Sequence, residues 1–410
     1  MSLFAPSVKS QGQGEGPFNE PFWHEMAGWL SSITGKAVTV RTAVQVATVF
    51  ACCRVIGNGM AQVPFKLMQE LPNGKRVPAK KHPLYRLLSL KPNGWQTSFE
   101  FRQMIAWHIE LCGQAHVFKN MSVDGRVLEL IPFAPGMVTT RREPDMTLRY
   151  DVVGYDGSMR TLTQDQVWHL RGPTLDGVCG LEVIKLAREA IGLAMATEEA
   201  AARLHKNGVL NTGVYSVDAT LDKKQYEDLS GWVAKQFAGL QNAGKPLILD
   251  RGAKFLNTSM SSVDAQSNET RKLQIEQICS FFGVLPIKVG YSDKTATFAS
   301  AEEFNRAHRE DCLAPRWEAF EQSAVINLLS DKEQEQGYYC NFTEEGMLRG
   351  SAKDTKDIIL GYVNGGLLTP NEGRALLDRN ADDDPASNRL RIPANIVGEP
   401  KKADPAAIAA

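Results

Sequence analysis

The stretch Gly-Leu-Gln-Asn-Ala-Gly-Lys-Pro comes nearest to a phosphate-binding loop, since Gly239, Gly244 and Lys245 have the spacing G-x-x-x-x-G-K. A working loop needs Ser or Thr next, whose hydroxyl holds the metal while backbone amides cradle the phosphates. Pro246 stands there instead and supplies neither hydroxyl nor amide. Gly35-Lys36-Ala37 and Gly74-Lys75-Arg76 lack the hydroxyl and the upstream glycine. His108 and His116 are not spaced as a zinc-binding i, i+4 pair enclosing a Glu, and His24, His82, His169, His205 and His308 are isolated in sequence. No G-x-S-x-G elbow is present. Asp382-Asp383-Asp384 could hold a cation, with a solvated acidic tail as the plainer reading. No catalytic residue, cofactor or metal is therefore expected. A soluble hydrolase with a dispersed active site is the alternative that motif reading leaves open.

Composition narrows the class further. The chain has 410 residues, 43% apolar and 23% charged, which is the balance of a folded protein of two to four subregions. Lys+Arg 46 against Asp+Glu 47 gives a net charge of -1, so no global field draws it to nucleic acid or anionic lipid. No run approaches the roughly 18 apolar residues of a membrane span, and the N-terminus lacks a signal-peptide core, so a protein made in a cytoplasm is expected. Seven cysteines without C-x-x-C spacing, two of them the adjacent Cys52 and Cys53, read as reduced, buried thiols.

The elements follow from period and punctuation. Residues 1–40 are Gly-rich and polar with scattered aromatics (Phe18, Phe22, Trp23, Trp29), an arm expected to order only against something else. Thr42-Ala-Val-Gln has capping-box spacing and opens a buried helix through VATVFACCRVIGNGMAQV. From Val63 to Arg171, alternating stretches (PFKLMQ, AHVFKNM, RVLELI, LRYDVVGY, QVWHLR) separated by Asn-Gly and Asp-Gly turns predict antiparallel strands. Helices at His82–Leu90 and from Ser98 to about Cys112 interrupt them. A helix over 181–206 is rich in small residues, among them Ala187, Ala190, Ala194 and Ala200, which let helices approach closely. Residues 209–262 read as a small α/β unit. A helix from about Asp264 to Phe282 follows, polar on every face in its first half, as in a strut between two masses.

Around Cys279–Phe320 the chain reads as helix end, Pro-containing connector, polar loop Ser292–Ser300, and a long helix interrupted at Pro315. Proline removes a hydrogen bond to the carbonyl of Asp311 and crowds it, so a kink is expected. Two short helices follow, Ala352–Asn364 and one opened by Thr369-Pro370-Asn371-Glu372, a capping box with Pro at N1. From Asn380 a loose tail is expected. The pattern is a device for placing a loop.

In order along the chain come AVQVATVFACCRVIGNGMAQVPFKL, HPLYRLLSLKPN, LCGQAHVFKN, LELIPFAPGMV, Asp176-Gly177-Val178-Cys179-Gly180, Asn242-Ala243-Gly244 with KPLIL, SFFGVLPIKVG, AEEFNRAHREDCLAPRWEAFE and TPNEGRALLD. Together, over about Thr42–Asp378, they resemble the portal proteins (head-tail connectors) of long-tailed double-stranded DNA phages. Val284-Leu285-Pro286-Ile287 and Ser300-Ala301-Glu302 depart from the family's usual local pattern.

The resemblance implies an α+β portal fold assembled as a ring, typically of twelve subunits. It divides the chain into an N-terminal arm (1–40), a β-rich wing (41–180), a stem helix (181–208), a clip (209–262) and a second stem helix (263–284). A tunnel loop with a kinked wing helix (285–350), a helical crown (351–380) and a flexible tail (381–410) complete it. It further implies a channel for packaging and ejecting double-stranded DNA, with the terminase large subunit, the major capsid protein and a head-tail adaptor as partners and no membrane. The protein would assemble in the host cytoplasm and reside at a capsid vertex of the virion. Ser292, Asp293, Lys294, Thr295, Ala296, Thr297 and Phe298 match the tunnel loop. The alanines at 187, 190, 194 and 200 are expected to pack stems of neighbouring subunits.

Overall fold

A computed structural model describes residues 32–154, 157–207, 213–216, 222–224, 226–228, 231, 254–257, 261–291, 298–343, 352–377 and 379–391. Two units divide at Phe342/Thr343. The first begins with helices α1 (Val40–Gln45) and α2 (Ala47–Gln62). The α1 cap is Thr39, three residues before the position expected from sequence. Thr39 Oγ1 accepts from Thr42 N at 3.2 Å, while Thr42 Oγ1 accepts from Thr39 N at 2.8 Å. Thr42 is thus the N3 partner of the box, and the fully buried Val38 and Ala43 flank it on either side. Val46, in extended conformation, separates α1 from α2.

Strands β1 (Phe65–Glu70) and β2 (Arg76–Pro78) lead to helices α3 (Pro83–Ser89) and α4 (Ser98–Cys112). Next come β3 (Gln114–Met121), β4 (Val127–Pro132), β5 (Val138–Arg142), β6 (Leu148–Val153), β7 (Met159–Thr163) and β8 (Val167–Arg171). They pair antiparallel as β4-β3-β8 and β5-β6-β7. Inward residues of both sheets, including Phe118, Tyr150, Val152, Leu162 and Val167, share one apolar core. Burying each large side chain there contributes about 1.5–3 kcal/mol.

The helix expected over 181–206 bends at Ala187, giving α5 (Val183–Leu186) and α6 (Arg188–Asn207). Ala187 N still bonds Val183 O at 2.8 Å and Ile191 N bonds Ala187 O at 2.9 Å, so the ladder crosses the bend. Strands β9 (Gly213–Ser216) and β10 (Lys254–Asn257) pair antiparallel, as read from GVYSV and AKFLNTSM. The KPLILD strand lies outside the described residues. Helix α7 (Ser261–Phe282) packs on α6, where Gln274 Nε2 donates to Thr197 Oγ1 at 3.2 Å. Helix α8 (Phe298–Ala307), a π-helical turn (His308–Leu313), α9 (Ala314–Leu328) and α10 (Asp331–Glu335) follow.

The unit closes with β11 (Tyr338–Phe342), a strand not expected from sequence. It pairs with β1 in the register Phe65↔Phe342. The 285–350 stretch therefore contributes a strand to the sheet of β1 and β2. Phe320 of α9 sits among Phe65 (5.1 Å between ring centroids), Trp168 (5.3 Å) and Phe342 (5.7 Å), joining β1, β8 and β11 through one helix. Trp168 Nε1 donates to Ser323 Oγ at 2.9 Å, and the buried Lys119 donates to Asn327 O at 2.7 Å, satisfying a carbonyl in the last turn of α9.

Described residues reach into both the expected arm and the expected tail. Ser32–Lys36 lies along α6, with Ile33 N bonded to Glu189 at 2.9 Å and Thr34 Oγ1 to Gly192 O at 3.2 Å, so the part from 32 onward orders against its own chain. In the second unit, α11 (Ala352–Asn364) and α12 (Pro370–Leu376) form, with Thr369 and Glu372 in the expected capping box. Asn371 then ties down residues beyond 380: Nδ2 donates to Asp382 O at 3.0 Å and Asp382 N to Asn371 Oδ1 at 2.7 Å. Asp382 accepts from Ser387 Oγ and Asp384 from Ala386 N, so two carboxylates of the acidic run serve local turns. Among the described residues no group of three or more metal-ligating side chains occurs. Among them, too, no helix is long and apolar enough to cross a membrane.

Candidate functional site

Residues 292–297, the greater part of the expected loop, lie outside the described residues, and Phe298 opens α8. What the structure describes is how both roots of this loop are held. On the entry side, α7 ends at Phe282, Gly283 takes a left-handed conformation (φ 64°), and a 3-10 turn Pro286–Val289 ends at Gly290 (φ 91°). On the return side, α8 passes into the π turn, where Ala314 N bonds Arg309 O five residues back. Pro315 follows at once. A proline cannot donate, and widening the turn ahead of it is one way a helix accommodates the missing bond.

Arg316 fastens the two sides together. Its Nη2 donates to Phe282 O at 2.9 Å, closing the C-terminus of α7, and its Nη1 to Cys312 O at 2.7 Å in the π turn. Its Nε and Nη2 also reach the Glu110 carboxylate of α4 at 2.7 and 3.1 Å. Burial works against the Arg316 charge, but the Glu110 hydrogen bonds and charge outweigh it and raise its pKa. One guanidinium thus spans the end of α7, the π turn and α4 in a single fork, a geometry Lys cannot reproduce. Arg102 does similar work nearby: buried at 6% exposure, it donates to Ala61 O at 2.7 Å and Met60 O at 3.3 Å at the end of α2.

Close packing fixes the rest. Cys52 Sγ on α2 lies 3.9 Å from Cys279 Sγ on α7, both fully buried. A Cβ on Gly59 would sit 2.6 Å from Leu313 Cδ2, so α2 approaches the π turn at glycine distance. His308 of that turn is buried with Nδ1 unpartnered, and burial, then the nearby Lys288 and Arg316 charges, push its pKa down to about 4.

The four alanines at 187, 190, 194 and 200 do not share one environment. Ala187 (0% exposed) and Ala194 (6%) are covered by their own chain. Ala190 is half-buried and Ala200 exposed. Sequence reasoning missed Glu110, Arg316 and Arg102 altogether. A charged residue on an otherwise apolar helix stripe was the available signal.

The fold has solved counterparts. The chain is similar to a protein in the neck of an empty gene transfer agent (GTA) particle (TM-score 0.57, 22% identity, covering 83% of this chain and 93% of that one). It is also similar to an HK97 family phage portal protein from Corynebacterium diphtheriae (TM-score 0.54, 14% identity, 78% and 98% covered). In sequence it is 25% identical to the portal protein of Enterobacteria phage HK97 over 334 residues, 81% of this chain and 78% of the relative. It is 26% identical to a probable portal protein of Streptomyces phage phiC31 over 380 residues, 89% and 82% respectively. The model of the phage portal protein family matches residues 47–378, and the chain belongs to that family.

Proposed function

We propose that this chain is one subunit of a ring at a capsid vertex, through whose axis double-stranded DNA enters and leaves the particle. The observation that carries the reading is the clamp at Arg316: the chain leaves at Phe282, returns at Cys312, and both carbonyls are bonded to one guanidinium. A loop whose roots are tied this closely is presented rigidly, as a constriction needs. Repeated round an axis, residues 292–297 would form its narrowest part. Lys294 is the one cation of that loop, with the Thr295 and Thr297 hydroxyls able to touch phosphate.

The charge balance supports a conduit. Duplex DNA carries one charge per about 1.7 Å, so a strongly basic sleeve would hold it fast. A net charge of -1 suits a substrate that must slide. A twelve-subunit ring is supported by the similarity to a native GTA-particle neck computed with twelve-fold symmetry (TM-score 0.54). Within this reading the region from α1 to β8 with β11 is the wing, α6 and α7 are the stem, β9 and β10 belong to the clip, and α11 and α12 to the crown. The terminase large subunit would dock at the clip and be followed there by the head-tail adaptor, while the major capsid protein surrounds the ring. Assembly in the host cytoplasm and residence in the virion follow from that role. Membership in a family of structural particle components leaves the hydrolase reading without support.

Electron microscopy of the purified protein tests the proposal. Rings with an axial hole wide enough for a duplex are expected; compact monomers, or closed discs without a hole, would overturn it.

A further inference from the structure

From Leu71 to Phe99 the chain carries six Lys and Arg and no Asp or Glu, against a balance of 46 to 47 over the whole sequence. This basic stretch folds as β2, α3 and the loop from α3 to α4. Leu84 and Leu88 face the core, so Arg86 and Leu90, each two positions on, turn outward. The carboxylates nearby are already engaged. Glu70 pairs with Arg76 at 3.3 Å, Glu333 bonds His82 at 2.8 Å, and Glu100 accepts from Thr97 N and Oγ1 at 2.8 Å in the α4 cap. Lys80, Lys81, Arg86 and Lys91 are exposed and have no carboxylate partner among the described residues.

At the C-terminal end of α3 the loop 91–97 closes on itself, with Ser98 N donating to Leu90 O at 2.9 Å. Inside it Asn93, 3% exposed, uses its whole amide: Nδ2 donates to Leu130 O at 3.0 Å and to Gln96 Oε1 at 2.8 Å, while Oδ1 accepts from Gln96 N at 2.9 Å and Trp95 N at 3.2 Å. A loop fixed in this way holds Trp95 at 65% exposure, beside Leu90 at 61% and Phe99 at 44%. Ordering the backbone around an indole that stays in water costs entropy and gains no burial.

We propose that this surface docks an acidic, amphipathic segment of a partner protein, its apolar side chains on Leu90, Trp95 and Phe99 and its carboxylates along Lys91, Arg86 and Lys81. A rigidly held tryptophan in an apolar centre, with charge at the margin, is the anatomy of a protein–protein contact. The unpaired cations select an acidic partner, and Lys81 to Lys91 spans about 15 Å at helical rise, nearly three turns of a docked helix. Duplex DNA would supply phosphates for the cations but no apolar surface for Leu90 and Phe99. The surface belongs to the single chain and does not require the ring.

Fluorescence anisotropy on the full-length protein tests this with defined probes. The first is a fluorescein-labelled helical peptide of Leu and Glu in amphipathic spacing. Control peptides carry Ser for Leu or Lys for Glu, and labelled single-stranded and duplex DNA of matching length are the nucleic-acid controls. The Leu–Glu peptide is expected to bind, and Trp95→Ala and Lys91→Glu each to weaken it about ten-fold. Lys272→Glu, the same charge change at an exposed position of α7, should leave its affinity unchanged. Melting temperatures equal to the parent's are expected for all three variants, since each position is exposed. Equal binding of the Ser-containing peptide would reduce the surface to bare charge, and tighter binding of either DNA would assign it to nucleic acid. Those results, an absence of binding, or full affinity in Trp95→Ala would each overturn the inference. None of these readings depends on ring formation, so the outcome stands apart from that of the channel.

Discussion

Arg316 and Glu110 meet as a two-pronged pair across α9 and α4, with Nε to Oε1 at 2.7 Å and Nη2 to Oε2 at 3.1 Å. The Glu110 side chain is 9% exposed and that of Arg316 27%, so removing one partner leaves a buried charge without its counterpart. Arg316→Ala is expected to cost about 3–5 kcal/mol, and Arg316→Lys much of that because Lys has no fork. Glu110→Leu with Arg316→Met should cost less than either single change. Urea unfolding midpoints of the three variants check this; additive losses would show that the two residues act separately.

Gly180 and Gly113 make a backbone-on-backbone approach at the turn that leads into α5. A Cβ on Gly180 would fall 1.7 Å from Gly113 O, and Gly113 itself takes φ 75°. Gly180→Ala must therefore push the turn off α4, at a cost of about 1–3 kcal/mol or more. Thermal melting of Gly180→Ala against Gly177→Ala separates crowding from conformation. Gly177 has φ 71° but open space around it, so alanine there adds backbone strain alone. Equal melting temperatures would remove crowding as the reason for Gly180.

Stability should fall steeply in mild acid. Burial first, then the neighbouring Arg171 and His108, lowers His116 from the usual 6.5 to about 3. Burial, then His116 and Arg171, lowers His169 to about 2, and His308 stands at about 4. Each folded pKa lies below the unfolded one, so the unfolded state binds more protons in the window between. The neutral forms contribute fully above pH about 6.5, and each loses about 1.4 kcal/mol per pH unit as pH falls towards its folded value. Unfolding free energies from pH 8 to 4 should show this slope, with His308→Gln reducing it by about one group's share. Parallel curves for parent and variant would show that His308 does not titrate on unfolding.

What was legible in the sequence was what local rules dictate. Thr369 with Glu372 marks its helix start unaided, and Ser98–Cys112 forms where its spacing placed it. The cap at Thr39 was misread because Thr42 serves as either end of the same box, and only the burial of Val38 decides. Strand β11 was invisible because five residues with a partner far upstream carry no hairpin signal. The Arg316 clamp was hidden for a related reason: Glu110, Phe282 and Cys312 come together only in the fold. Family membership was readable from ordered motifs, whereas the stem alanines needed burial to be sorted.

Those alanines now separate two effects that small-residue composition had merged. Ala194→Trp must enlarge a site already covered by its own chain, so it should lower the melting temperature, at about 1–3 kcal/mol or more of overpacking. Ala200→Trp adds bulk to an exposed position and should leave melting unchanged while disturbing ring formation. Normal rings from Ala200→Trp would place neighbouring stems elsewhere.

Lys294 gives the sharpest test of the channel. If it faces the axis, each subunit contributes one cation to an annulus that meets phosphates, and Lys294→Glu turns twelve weak attractions into repulsions. Packaged DNA should then shorten, while Lys294→Ala, which removes charge without reversing it, should have a smaller effect. Salt separates the two causes of a defect. Screening shortens the reach of a charge to about 8 Å at physiological ionic strength and about 3 Å at 1 M, so raising salt in an in vitro packaging reaction should narrow the gap between Lys294→Glu and the parent. Full-length genomes packaged by Lys294→Glu at low salt would place the lysine away from DNA. A defect that salt leaves untouched would point to misassembly of the loop instead of charge.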